Sequence, residues 1–130
     1  MGTLIEEIFS RKAGKQVQAG EILLLDVDYI MSHDNTTPLA IKAFRDIGKP
    51  ILDKNKIVIH FDHAYPAPNI LAAENHKKII EFVKEQELPH LLHQGVCHQV
   101  MIEEGYITPG ATVIGADSHS NTYGAMGAFG

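Results

Sequence analysis

The chain predicts an α/β fold in three layers, a mostly parallel sheet with helices on both faces. Short apolar runs at residues 21–31, 57–61 and 111–115 read as buried strands. Segments with helical apolar spacing and recognisable starts and stops separate them. The connections are long enough for crossovers, which parallel neighbours require.

Taken in order, Thr3 and Glu6 have the form of a capping box, and a short helix to about Lys12 places Leu4, Ile5, Ile8 and Phe9 on one face. Gly14 and Gly20 bracket a polar connection. The first strand is predicted over residues 21–31, interrupted by Asp26 and Asp28 and followed by Ser32, His33, Asp34 and Asn35. Thr37-Pro38 opens a second helix, because proline at the first helical position loses nothing by lacking an N–H, and Gly48 stops it. The strand at 57–61 then delivers Asp62 and His63. Pro68 is placed to open a long helix carrying Ile70, Leu71, Ile79, Ile80, Phe82 and Val83, which ends before Pro89. Residues 90–93 form a weaker strand that leads into a loop through Gly95, Cys97 and His98. The last strand, 111–115, empties into Asp117, Ser118 and His119, followed by a glycine-rich stretch that reads as a helix opening or a packed loop.

The composition is that of an ordinary globular protein: 130 residues with 45% hydrophobic and 21% charged, enough for one core. A formal net charge of -5 and no basic run argue against nucleic acid as a partner, and no apolar stretch has the length of a membrane span. The single cysteine, Cys97, has no internal disulfide partner, which fits a reducing cytoplasm. Histidine is the unusual component: eight, against only two arginines, Arg11 and Arg45. It is the side chain whose ordinary pKa lies nearest neutrality, so the excess points to proton transfer or metal binding.

In a parallel sheet, ligands bind outside the carboxyl ends of the strands. This reading places His33 and Asp34, Asp62 and His63, His98, and Asp117, Ser118 and His119 there. Any one of these is also explained by a solvated loop or a helix cap; the same residue types at four strand ends point to one shared site. A carboxylate beside histidine orients the ring and favours its protonated form, which is what acid–base chemistry needs. His60, His76, His90 and His93 are assigned to packing or surface. Cys97 is either structural or a reactive thiol.

These residues resemble the aconitase superfamily. Asp117-Ser118-His119 and the glycines after them are similar to its Gly-x-Asp-Ser-His-Thr-x-x-x-Gly-Ala-x-Gly signature, Phe61-Asp62-His63 to its Asp-His element, and Gly95 through Gln99 to its Gly-x-x-His-Gln element. The order and spacing agree across essentially the whole chain. The resemblance implies a hydro-lyase that isomerises a 2-hydroxy acid by dehydration and rehydration at a four-iron, four-sulfur cluster. It implies that His63, oriented by Asp62, protonates the departing hydroxyl, and that His98, paired with Asp117, holds the hydroxyl or water. By the same resemblance His119 joins that network, and Ser118 and His33 face a substrate carboxylate.

Three cysteines bind the cluster in these enzymes, from elements downstream of the Asp-Ser-His motif, and Cys97 matches none of them. The base and the carboxylate-binding arginines also come from later segments or a separate small subunit. The expectation is therefore one incomplete domain, residues 1–130, corresponding to the N-terminal part of a large subunit. Its partners would be the remainder of that subunit, a small subunit and a small hydroxy di- or tricarboxylate, and alone it would be inactive. Two rivals are a small hydrolase holding zinc or another divalent ion on Asp62, His63, His98 and His119, and a non-catalytic assembly module.

Overall fold

In the computed structural model, which describes residues 2–130, Val58 and Ile59 are neighbours in one strand, both are fully buried, and they face opposite sides of the sheet. That is the signature of a sheet covered on both faces. Four parallel strands make it: β1 (Tyr29–His33), β2 (Ile57–His60), β3 (His90–Leu92) and β4 (Val113–Gly115), in the order β3-β2-β1-β4. Four α-helices accompany them, α1 (Leu4–Ala13), α2 (Thr37–Ile47), α3 (Ile70–Gln86) and α4 (Cys97–Glu103), with 3₁₀ turns at Lys54–Lys56 and Ser120–Met126. One face packs Ile59 and Phe61 against Ile41 of α2 and Ile79, Phe82 and Val83 of α3. The other packs Met31, Val58 and Val113 against Cys97 and Met101 of α4 and Tyr123 of the second 3₁₀ turn. The three-layer α/β arrangement expected from the sequence is the one present. Among the described residues no helix is long and apolar enough to cross a membrane.

Local chemistry accounts for most boundaries. The Thr3–Glu6 capping box forms in both directions, and Gly14 closes α1 in the left-handed region at φ 65°. Gly48 closes α2 in the same way. The long helix does not open at Pro68: Asn69 caps it, its side chain accepting from the Ala72 N–H at 2.9 Å, so the first helical residue is Ile70.

The first strand differs most from expectation. Only Tyr29–His33 pairs, because β2 and β4 occupy the two flanks of β1 and the chain before Tyr29 has no strand beside it. Residues 21–27 run without secondary structure, and the side chains of Ile22 and Leu24 project into solvent. The last strand is likewise shorter than 111–115: it begins at Val113, and Thr112 before it forms an isolated parallel bridge with Phe129. The loop expected around His98 is instead the start of α4.

Candidate functional site

The chain builds β1, β2 and β3 outward in one direction, then returns to lay β4 on the free flank of β1. Such a reversal opens a crevice at the carboxyl ends of the strands. His33 is the last residue of β1, Asp62 and His63 follow β2, and Asp117 follows β4. His98 lies in the first turn of α4, after β3.

Two buried carboxylates organise the cluster. Asp62 Oδ1 lies 2.7 Å from His63 Nδ1, and its Oδ2 accepts the Cys97 N–H at 2.7 Å, so it caps α4 from another strand end. Burial alone would raise the Asp62 pKa, but the Cys97 N–H and the His63 ring outweigh it and hold the group below the ordinary carboxylate range. Asp117 gathers three rings: His98 Nδ1 at 3.1 Å, His63 Nε2 at 3.7 Å and His119 Nδ1 at 3.7 Å. It also accepts the His119 backbone N–H at 3.2 Å. The carboxylate side chains are 5% and 3% exposed, whereas those of His63, His98 and His119 are 35%, 26% and 64% exposed, so the rings present themselves to a ligand and the carboxylates stand behind them. A carboxylate only accepts, so the Nδ1 positions of His63 and His98 donate, while Nε2 of His63 faces Asp117 Oδ2 at 3.7 Å, beyond hydrogen-bond distance.

The structure thus brings Asp62, His63, His98, Asp117 and His119 into one connected group. Ser118 is exposed beside it, its Oγ 3.4 Å from His119 Nδ1. His33 sits deeper than a substrate-facing position suggests: it is 5% exposed and its ring stacks on His63 with centroids 3.7 Å apart. Its Nδ1 accepts the Asn35 N–H at 3.3 Å, which puts the ring proton on Nε2, and burial together with the facing His63 lowers its pKa.

The remaining histidines are structural. His60 donates from Nε2 to the Gln94 carbonyl at 3.0 Å inside the sheet, His90 pairs with the Tyr106 hydroxyl, and His93 stacks on Tyr65. His76, buried on α3, stacks on Phe61 and reaches Asp34, a contact its sequence position gave no signal for. Cys97 is fully buried in the core, and burial with the nearby Asp62 carboxylate pushes its thiol pKa far up, so it is an inert structural residue. A cavity of about 630 Å³ between α1 and β4 is lined by none of the site residues.

Gly115 sets where Asp117 falls. A Cβ there would meet Ser120 Oγ at 1.9 Å, and Ser120 Oγ donates to the Asp117 carbonyl. We expect Gly115→Ala to cost about 1–3 kcal/mol through this overlap. Denaturant unfolding of the variant tests it, and an unchanged midpoint would show that the approach is not tight.

A family model described as the Aconitase family (aconitate hydratase) matches residues 6–130. The chain is 47% identical to the 3-isopropylmalate dehydratase large subunit 1 of Archaeoglobus fulgidus, over 98% of this chain and 31% of that protein. The same figures hold for the probable 3-isopropylmalate dehydratase large subunit of Methanothermobacter thermautotrophicus. The methanogen homoaconitase large subunit of Methanocaldococcus jannaschii is 43% identical over 98% of this chain and 30% of its own length. The chain spans about a third of the length of these curated relatives. With a family match over nearly all of its residues and the paired carboxylate–histidine cluster at its strand ends, the chain belongs to the aconitase family.

Proposed function

We propose that this chain supplies the proton-handling side of a hydro-lyase that interconverts 2-isopropylmalate and 3-isopropylmalate, a step of leucine biosynthesis in the cytoplasm. The observation that carries the reading is the continuous run Asp62–His63–Asp117–His98, two buried carboxylates holding partly exposed imidazoles. Dehydration of a hydroxy acid needs a proton delivered to the departing hydroxyl, and rehydration needs it taken back. His63, held at Nδ1 by Asp62, gives the proton from Nε2, the hydroxyl leaves as water, and the neutral ring recovers the proton in the reverse addition. His98, held at Nδ1 by Asp117, keeps the hydroxyl or water in place, with His119 on its flank. Ser118 and the Nε2–H of His33 meet a substrate carboxylate, Ser118 at the rim and His33 on the floor. The proton on carbon is removed by a base outside the described residues.

The family implies a four-iron, four-sulfur cluster, and the described residues do not fit one. Cys97 is the only thiol, it is buried, and its proton is held firmly. In this reading the cluster of the complete enzyme is held by other parts of the assembly, which includes a separate small subunit, as the large-subunit names of the relatives suggest. A divalent-metal hydrolase is less well supported. Among the described residues Asp62 and His63 fall in one candidate ligand group, His98 in another and His119 in neither, so the four do not form one ligand set. The likeness to a homoaconitase large subunit favours homocitrate as the second choice of substrate.

The test is a chimera in which residues 1–130 replace the matching third of the Archaeoglobus fulgidus large subunit, assembled with its small subunit and reconstituted with iron and sulfide. Conversion of 2-isopropylmalate is expected. A correctly assembled chimera that turns over only homocitrate would replace the reading by the second one, and a chimera inactive on both would end it.

A further inference from the structure

We propose that Asp34 is the positioning residue of this site, gripping the backbone of the Asp62–His63 turn from the end of β1. Its carboxylate is 1% exposed and touches no surface to which a ligand has access. It accepts three consecutive backbone N–H groups, those of Asp62 at 3.4 Å, His63 at 3.0 Å and Ala64 at 2.6 Å. A fourth contact comes from His76 Nε2 at 3.3 Å, reaching in from α3.

Three successive N–H groups converging on one carboxylate fix the dihedral angles between them, and with them the directions in which the side chains of Asp62 and His63 leave the backbone. Those directions matter. Asp62 must reach both His63 Nδ1 and the Cys97 N–H, and the His63 ring must lie flat on His33. His33 and Asp34 are adjacent, so one strand end holds His63 twice, by its ring and by its backbone. The carboxylate is held in its ionised form, because the N–H groups and the His76 ring outweigh the opposing effect of burial. Through His76, which stacks on Phe61, the grip extends to the helix layer behind the sheet.

The functional weight of this placement rests on the hydro-lyase reading, but the placement is testable without turnover. In the 130-residue chain, NMR hydrogen exchange should show the His63 and Ala64 amides protected at least about a hundredfold relative to those of Ile22 and Leu24 in the unpaired segment. Asp34→Asn should speed their exchange by about a hundredfold, and His76→Phe, which keeps an aromatic ring on Phe61, by about tenfold. The ¹⁵N shifts of the His63 ring in Asp34→Asn should move from a fixed Nδ1–H form toward an averaged tautomer, a signature that loss of loop packing alone would not give. A folded Asp34→Asn with unchanged His63 ring shifts would overturn the proposal. Should Asp34→Asn not fold, the wild-type protein and His76→Phe decide: Ala64 exchanging as fast as Leu24, or unaffected by loss of the imidazole, overturns it equally.

Discussion

Asp117→Asn should lower kcat of the assembled chimera about a thousandfold, the middle of the range for loss of positioned acid–base catalysis. Asp117 sits where three rings meet, so one substitution acts on all of them. An asparagine keeps the size but replaces one acceptor oxygen by an NH₂ group. If the amide oxygen faces His98, its NH₂ faces Nε2 of His63 and competes for the atom proposed to exchange protons. If the amide turns round, the NH₂ opposes the His98 Nδ1–H and the ring is released to its other tautomer. Both orientations damage the proton path, while the Ser120 bond to the Asp117 backbone carbonyl and the packing around the turn remain. The loss should therefore fall on kcat more than on KM, with an unchanged unfolding midpoint. His119→Ala, removing a 64% exposed ring at 3.7 Å, should cost far less. A decrease of less than tenfold for Asp117→Asn would show that Asp117 is not the centre of the network.

Much of this arrangement was legible because the chain repeats one pattern: an apolar run that stops at histidine and carboxylate. Parallel topology then sends those stops to one edge, so the sequence pattern alone gathers His33, Asp62, His63 and Asp117. What escaped depends on contacts between distant residues. Helix α4 lacks a side-chain cap of its own at Val96, since the carboxylate that meets its N-terminus is Asp62, 35 positions earlier. A reading of local propensity sees only a loop there. Residues 21–28 show the reverse: their apolar content suggested a strand, but a strand needs a continuous backbone ladder, and before Tyr29 the neighbouring chain offers only one backbone bond, from the Asp28 N–H to the Thr112 carbonyl. Asp34 stood in view beside His33, yet its partners are backbone N–H groups and a mid-helix histidine, which no motif spells out.

Acidification from pH 7.5 to 5.5 should destabilise the chain well before its carboxylates titrate. His33 and His60 are buried with lowered pKa values, each chiefly through desolvation of the charged ring. Around His33 stand His63, which adds to the lowering, and Asp62, Asp117 and Asp34, which oppose it. His60 faces the Gln94 carbonyl, Asp62 and Asp34, which oppose its lowering, and His93, which adds to it. In the unfolded chain each ring takes up a proton as pH falls through its ordinary value of about 6.5. The folded chain resists, so the unfolded state binds more protons and stability falls with pH across the interval between the unfolded and folded values. While both folded rings stay neutral the loss reaches at most about 1.4 kcal/mol per histidine by pH 5.5. Asp34 and Asp62 have the opposite charge type and a later window: their lowered pKa values stabilise the fold above about pH 4, and that contribution is lost as pH falls through the folded values. Urea midpoints at pH 7.5, 6.5 and 5.5 should decline in order. His60→Gln, whose amide can still donate to the Gln94 carbonyl but cannot titrate, should remove about half of that decline. A midpoint that stays level from pH 7.5 to 5.5 would mean that the buried rings protonate as readily in the folded chain as in the unfolded one.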